Sequence, residues 1–269
     1  MPELPEVETV KRQLHQRLQG KTVVLVRILR SGRERPMGPL FLKEVIGKTV
    51  DRVDRRAKLL VIRFTDGSAM TAHLKMTGKF IFVDADYCPG KHDRMIFQFD
   101  HVCVVWNDVR QFGFIHAMSA AELEKVLSMY GPEPLEASVT ELAARIASPK
   151  TRAIKSALLN QQVIAGVGNI YADEVCHRAG IKPMRRLGRI NKEERMRLVQ
   201  NLKLLLQESI DQRGTSANDY VDAEGNKGGF LSLLRVYGRA GEPCLNCGTP
   251  IMRVVFAQRG THYCKRCQT

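Results

Sequence analysis

Leu59-Leu60-Val61-Ile62-Arg63-Phe64, then Thr65-Asp66-Gly67-Ser68, then Ala69-Met70-Thr71-Ala72-His73-Leu74: two short apolar, β-branched runs flank an Asp-Gly turn, which reads as a pair of antiparallel strands. Runs of the same kind recur at 22–29, 50–53, 80–83, 95–99, 102–106 and 114–117, separated by Gly, Asp or Pro. So many short strands with tight turns predict an antiparallel sandwich or barrel. Ahead of them, Val7, Val10, Leu14 and Leu18 recur at three- and four-residue steps, the spacing of one helix face, and Gly20 ends that helix.

Past residue 130 the pattern changes. Gly131-Pro132-Glu133-Pro134 breaks the chain and marks a domain boundary. Ser138 and Glu141 form a capping-box pair, and a second helix is expected from about Ser148-Pro149, with Ile154 and Leu158 on its buried face and Lys155 beside them. Val163-Ile164-Ala165-Gly166-Val167-Gly168-Asn169 is a glycine-rich turn in which Asn169 suits the N-cap of a helix over 170–179, closed by Gly180. A further helix starts at the pair Asn191 and Glu194, carries Val199, Leu202, Leu206 and Ile210, and stops before Gly214. Residues 215–229 are polar and glycine-rich, the composition of a flexible connector or a lid. At the end, Cys244-x-x-Cys247 and Cys264-x-x-Cys267 stand sixteen residues apart around two short strands, with Gln258-Arg259 at their turn. That is the four-cysteine zinc-ribbon spacing, and a closed site of this kind is structural.

The totals narrow the class. The 269 residues carry a formal charge of +14, and its distribution is uneven: 22 Lys+Arg against 18 Asp+Glu in residues 1–149, 20 against 10 in residues 150–269. The second half is therefore the part suited to grip a polyanion. No apolar run is long enough to span a membrane and the acidic start is unlike a signal peptide, so a cytoplasmic protein is expected. Four of the seven cysteines form the ribbon; Cys88, Cys103 and Cys176 read as buried thiols rather than a disulfide framework.

The first six residues, Met1-Pro2-Glu3-Leu4-Pro5-Glu6, offer a nucleophile that needs no separate base. Once Met1 is removed, Pro2 is a terminal secondary amine; a terminal amine titrates near pKa 8 against about 10.4 for lysine, so far more of it is neutral at pH 7. Glu3 beside it can move a proton. The alternative reading is a proline and acids opening a helix. Other clusters are two-sided in the same way. Arg55-Arg56-Ala57-Lys58 suits a phosphate backbone or a solvated strand end. Met76, before Gly78, suits a projecting loop or the core. Arg110 and Phe112 suit insertion into a base stack, or Phe112 is a core anchor. The 163–169 turn suits a phosphate at a helix N-terminus or close helix packing, and Arg259 suits phosphate contact or plain surface. His92, alone, reads as structural.

Together, Pro2-Glu3-Leu4-Pro5-Glu6, Arg56-Ala57-Lys58, Gly168-Asn169-Ile170-Tyr171, Val236-Tyr237-Gly238-Arg239 and the four-cysteine ribbon resemble, in order and over the whole chain, the bacterial formamidopyrimidine-DNA glycosylases. The resemblance implies an α+β chain: an N-terminal β-sandwich catalytic domain (1–131), a helical helix-two-turn-helix domain with a lesion-capping loop (132–240) and a zinc finger (241–269), with DNA in the cleft between the two larger parts. It implies a base-excision repair glycosylase and AP lyase acting on oxidised purines in double-stranded DNA, a monomer with one structural Zn2+, bacterial and nucleoid-associated. Pro2 would attack C1′ and form a Schiff base that drives β- and δ-elimination, with Glu3 assisting ring opening and Glu6 supporting the site. Lys58 would lie near the lesion and Lys155 near the damaged base. Met76, Arg110 and Phe112 would fill the void left by the extruded nucleotide. His92, Arg110, Asn169, Tyr237 and Arg259 would contact DNA, with Arg259 also linked to δ-elimination, and Cys244, Cys247, Cys264 and Cys267 would hold the metal.

Lys75 stands where the family more often has glycine, and Val109-Arg110-Gln111 replaces the commoner Pro-Arg-Arg; both bear on opposite-base preference. Two other readings fit the same scaffold. One is a catalytically inactive damaged-DNA-binding protein, opposed by the intact Pro2 and Glu3. The other is an oxidised-pyrimidine enzyme like endonuclease VIII, opposed by Leu4, where that branch has glycine.

Overall fold

The computed structural model describes residues 1–29, 44–148, 150–217 and 219–269. It divides into two compact units: Met1–Ser128 with Gln212–Gly229, and Met129–Asp211 with Phe230–Thr269.

The first unit is a sandwich of two four-stranded antiparallel sheets. One holds β1 (Val23–Ile28), β6 (Asp93–Phe99), β7 (Val102–Asn107) and β5 (Lys79–Val83) in that order; the other holds β2 (Val50–Arg56), β3 (Leu59–Phe64), β4 (Ala69–His73) and β8 (Phe114–Met118). Helix α1 (Leu4–Leu18) lays Val7, Val10, Leu14 and Leu18 into the core that both sheets share with Phe80, Phe97 and Trp106. Strand β3 is apolar on both sides for a reason absent from its own sequence. Leu60, Ile62 and Phe64 face that shared core, while Leu59 and Val61 meet Leu123 of a second helix, α2 (Ala120–Leu127). This helix was not anticipated, although Ser119 and Glu122 form its capping box.

Residues 212–229 pack on this unit, not as a loose connector. Tyr220 and Ala223 enter the shared core, the Ala223 N–H donates to Gln13 Oε1 at 2.7 Å, and its carbonyl accepts from the Phe82 N–H at 2.9 Å. The segment closes on itself where Gly229 N–H donates to Gln212 O at 2.8 Å.

In the second unit, α3 (Val139–Ile146), α4 (Ile154–Leu158), α5 (Asn169–Arg178) and α6 (Lys192–Asp211) bury Leu142, Ile146, Leu158, Tyr171, Leu198, Leu202 and Leu206. The predicted cap of α6 is present, with Asn191 and Glu194 exchanging bonds of 2.9 and 2.8 Å. The helix expected from Ser148-Pro149 instead begins at Ile154; Pro149 lies outside the described residues. Strands β9 (Ile251–Phe256) and β10 (Arg259–Cys264) form the terminal hairpin, tied to the end of α5 by Gln268 Nε2 donating to Ile181 O at 2.8 Å. No described helix is long and apolar enough to cross a membrane.

A methyl group added at Gly228 would stand 2.2 Å from Gly214 O, where the 212–229 segment doubles back. Gly228→Ala is expected to destabilise by about 1–3 kcal/mol, as overpacking does. Amide exchange at Thr215 and Gly229 should rise far more than exchange in β6 and β7; equal protection in variant and parent would contradict this packing.

Candidate active site and nucleic-acid interface

The N-terminal end of the chain is held by α1. Glu3 is the N-cap: its carboxylate accepts the Glu6 N–H, and Glu6 Oε2 accepts the Glu3 N–H at 2.8 Å, a reciprocal capping box. Glu6 is 1% exposed, and its other oxygen, Oε1, accepts the Thr215 N–H at 2.7 Å. A Cβ on Gly214 would stand 2.8 Å from Glu6, so glycine is needed there, and its φ of +82° needs it as well. Pro2 is buried directly before this cap. The reading of these residues as a helix opening is present in the structure: the acids begin α1, and their capping box sets Glu3.

The turn carrying Lys58 is tied to the same helix. Glu8 binds Arg55 Nε at 3.0 Å, and Arg55 Nη1 donates to Ala57 O at 2.9 Å. Burial pushes the Glu8 carboxyl up, but Arg55, Lys11 and Arg12 together hold it below the ordinary range. Ala57 takes a φ of +53°, which turns the backbone directly before the buried Lys58. The cationic run is thus an anchored hairpin turn, not a solvated strand end.

Met76 and Phe112 are not core residues, being 37% and 51% exposed. The Arg110 guanidinium lies 4.9 Å from the centre of the Phe112 ring, on an exposed loop. Behind Met76, His73 Nδ1 accepts the Lys75 N–H at 3.0 Å. His92 sits on a loop fixed by Asp93, whose carboxylate accepts from Tyr87, the Gly90 N–H and Asn107 at 2.8, 2.6 and 2.7 Å.

In the second unit the expected phosphate contacts sit where α5 meets the hairpin. Gly168, extended at φ −130°, is the N-cap of α5, and Asn169 is its first residue. Asn169 therefore does not hold the expected cap position, and its side-chain N–H donates to Gly260 O at 3.0 Å. Lys155 is fully buried and wholly engaged: Nζ meets Asp173 at 2.6 Å, Thr261 Oγ1 at 2.8 Å and Gly260 O at 3.1 Å. Its geometry is that of a strut holding the hairpin to α4 and α5. Tyr237 is placed by Glu174, whose carboxylate accepts the N–H groups of Arg235, Val236 and Tyr237 at 2.9, 2.9 and 2.8 Å. Burial raises the Glu174 carboxyl above its ordinary value although those three donors pull it down. The hairpin turn is Ala257-Gln258, both at positive φ, so Arg259 is the first residue of β10, exposed and opposite Phe256. Sequence reasoning passed over Glu8, Asp173, Glu174 and Tyr220. Arg55, Lys155, the 235–237 N–H groups and the shared core, which give these four their roles, lie farther along the chain than a local pattern reaches, and only the run Asp173-Glu174 inside an apolar helix signalled a buried role.

The four sulfurs of Cys244, Cys247, Cys264 and Cys267 lie within 4.8 Å of one another. Tetrahedral zinc–thiolate bonds put sulfurs about 3.8 Å apart. The 3.9 Å Cys244–Cys267 and 3.5 Å Cys247–Cys264 separations fit that geometry. His177 Nε2, 3.6 Å from Cys244 Sγ, can give the thiolate an N–H. These residues form one structural zinc site, in which the metal supplies folding energy and no chemistry.

Three family models match in register: the formamidopyrimidine-DNA glycosylase N-terminal domain over 1–115, the H2TH domain of the same family over 130–220, and the zinc finger found in FPG and IleRS over 241–269. The chain belongs to the formamidopyrimidine-DNA glycosylase family. It is 43% identical to the formamidopyrimidine-DNA glycosylase of Solibacter usitatus, covering 100% of this chain and 99% of that one, and 41% identical to that of Geobacillus kaustophilus, with full coverage of both. Among solved structures it is similar to the Lactococcus lactis Fpg in complex with DNA containing an abasic site, with a TM-score of 0.92, 33% identity and 99% of each chain covered. The Thermus thermophilus MutM (FPG) protein aligns with a TM-score of 0.88 and 35% identity over 99% of this chain and 98% of that one.

Burial, with the Lys75 and Lys58 charges, holds His73 down at about 3 from the ordinary 6.5. Between those values the unfolded chain protonates and the folded one does not. This contribution to stability is therefore complete above about pH 6.5 and is lost as pH falls toward 3. His73→Asn, whose Oδ1 stands where His Nδ1 does, keeps an acceptor for the Lys75 N–H but does not titrate. Denaturant unfolding at pH 7 and pH 4 should show the parent losing more stability than the variant on acidification. An equal loss would contradict the assignment.

Proposed function

We propose that this chain is a DNA glycosylase and AP lyase that removes oxidised purines such as 8-oxoguanine and formamidopyrimidines from duplex DNA, acting as a monomer in the bacterial cytoplasm. The observation that carries the reading is the locked N-terminal end: Pro2 buried before an N-cap Glu3 whose partner Glu6 is fixed from the other side by Thr215.

After loss of Met1, the Pro2 nitrogen attacks C1′ as the bond from C1′ to the base breaks, and Glu3 delivers a proton as the sugar ring opens. The resulting iminium acidifies the C2′ protons, so β-elimination releases the 3′ phosphate. A further proton loss releases the 5′ phosphate, a step in which Arg259 takes part. Lys58 neutralises phosphate charge near the lesion. Met76, Arg110 and Phe112 occupy the space of the extruded nucleotide, a role supported by their exposure. Asn169, Tyr237, His92 and Arg259 contact the phosphates. Lys155 serves this reading indirectly, by holding the β9–β10 hairpin that carries Arg259.

Single-turnover excision of 8-oxoguanine opposite cytosine tests the reading. Pro2→Leu with Met1 retained, which leaves no free amine at position 2, is expected to lose at least about 100-fold in excision and in strand cleavage, as losing an activated nucleophile does. Parental rates in that variant would overturn the assignment of Pro2. Faster excision of thymine glycol than of 8-oxoguanine by the parent would reassign the substrate class to oxidised pyrimidines.

A further inference from the structure

The void-filling side chains sit on two separate loops. Met76 follows β4, and Arg110 with Phe112 follows β7. Three observations join these loops into one body. Trp106, the chain's only tryptophan and 0% exposed, packs against both: a Cβ at Gly78 or at Gly113 would stand 2.6 Å from its indole ring. Each loop therefore needs glycine where it crosses the same ring. Asp108, 1% exposed, spans them with its carboxylate. Oδ1 accepts the Thr77 hydroxyl of the first loop and Oδ2 accepts the Gly113 N–H of the second at 2.8 Å, while Thr77 Oγ1 accepts the Arg110 N–H at 2.9 Å. The Asp108 backbone is itself fixed, its carbonyl accepting from Arg94 Nε at 3.1 Å and its N–H donating to His92 O at 3.0 Å. Lastly, each loop holds a non-glycine residue in the left-handed region beside a void-filling residue, Lys75 at φ +50° and Gln111 at φ +58°. Such conformations persist only where the surroundings over-determine them.

A carboxylate that only stabilised the sandwich would bond to sheet donors. Among the described residues this one bonds, through its side chain, only to donors in the two loops that expose apolar and cationic side chains to solvent. We propose that Asp108 is a positioning residue for base eversion, bolting the Met76 and Arg110-Phe112 loops through Thr77 and against Trp106 as one wedge set before DNA arrives. The inference rests on the glycosylase reading above. A preset wedge needs no ordering of its loops on binding, which matters most when an intact stacked base must be pushed out.

The test uses Thr77→Val, which removes the hydroxyl that both loops share, Thr77→Ser, which restores it, and Asp108→Asn. Each is assayed on a duplex with 8-oxoguanine opposite cytosine and on the same duplex with an abasic site, and Trp106 exposure is read by acrylamide quenching. Thr77→Val is expected to lose about 10- to 100-fold in 8-oxoguanine excision, the scale of a small misplacement. Its cleavage of the abasic duplex, which has no base to unstack, should stay within about threefold of the parent. Its Trp106 should become more quenchable, and Thr77→Ser should return all three readouts to parental values. Asp108→Asn should follow Thr77→Val; if it does not fold, the Thr77 pair decides alone. Parental 8-oxoguanine excision by Thr77→Val, or equal loss on both duplexes with Trp106 still shielded, would overturn the proposal. A parent that cleaves neither duplex would instead contradict the glycosylase reading.

Discussion

Both oxygens of one buried carboxylate decide how the first unit is arranged around its terminus. Glu6 gives Oε2 to the Glu3 N–H and Oε1 to the Thr215 N–H. A buried carboxylate left with an unmade bond is destabilising, so neither partner is readily released. The first bond turns the opening acids into a helix cap and sets Glu3; the second recruits residues from more than two hundred positions away, and Tyr220 and Ala223 follow into the core. The hydroxyl of Tyr220 strengthens the same junction, donating to Glu6 O and Arg213 O at 3.3 and 3.2 Å.

The second unit repeats the device on α5, with two adjacent acids pointing to different tasks. Asp173 takes Lys155 and the His262 N–H, which fixes the terminal hairpin; Glu174 takes three successive N–H groups, which fixes the 235–237 turn. Each is a charge-assisted arrangement with its buried groups satisfied, the condition under which a buried charge is tolerated. The result is that the backbone at Tyr237 and beside Arg259 is fixed by buried groups of the unit.

What the sequence showed, and what it hid, divides along chain distance. Eight strands, the cap at Asn191 and Glu194, and the cysteine pairs all write their signals within a few residues, and all are present. Features that depend on remote partners were missed or misplaced. The 215–229 segment has the composition of a flexible connector or a lid, yet Thr215, Tyr220, Asp222 and Ala223 are buried, which a loose connector would not be. Asn169 has the right chemistry for a cap, but the helix takes it as its first residue behind Gly168, and its side-chain N–H donates to Gly260 O, 91 residues on. For Met76 and Phe112 residue type left a core place and an exposed loop both open, and their exposure decides for the loop. The unbroken apolar run Leu59 to Ile62 is buried on both faces of β3 because helix α2, remote in the chain, covers the second.

The central claim is that the terminal proline performs the chemistry, and borohydride trapping addresses it most directly. The parent would be incubated with a duplex carrying 8-oxoguanine opposite cytosine, reduced, digested, and the attached residue identified by mass spectrometry. The account predicts a covalent adduct on Pro2, with Met1 absent. An adduct on a lysine, or tight binding to the duplex without any adduct, would contradict it.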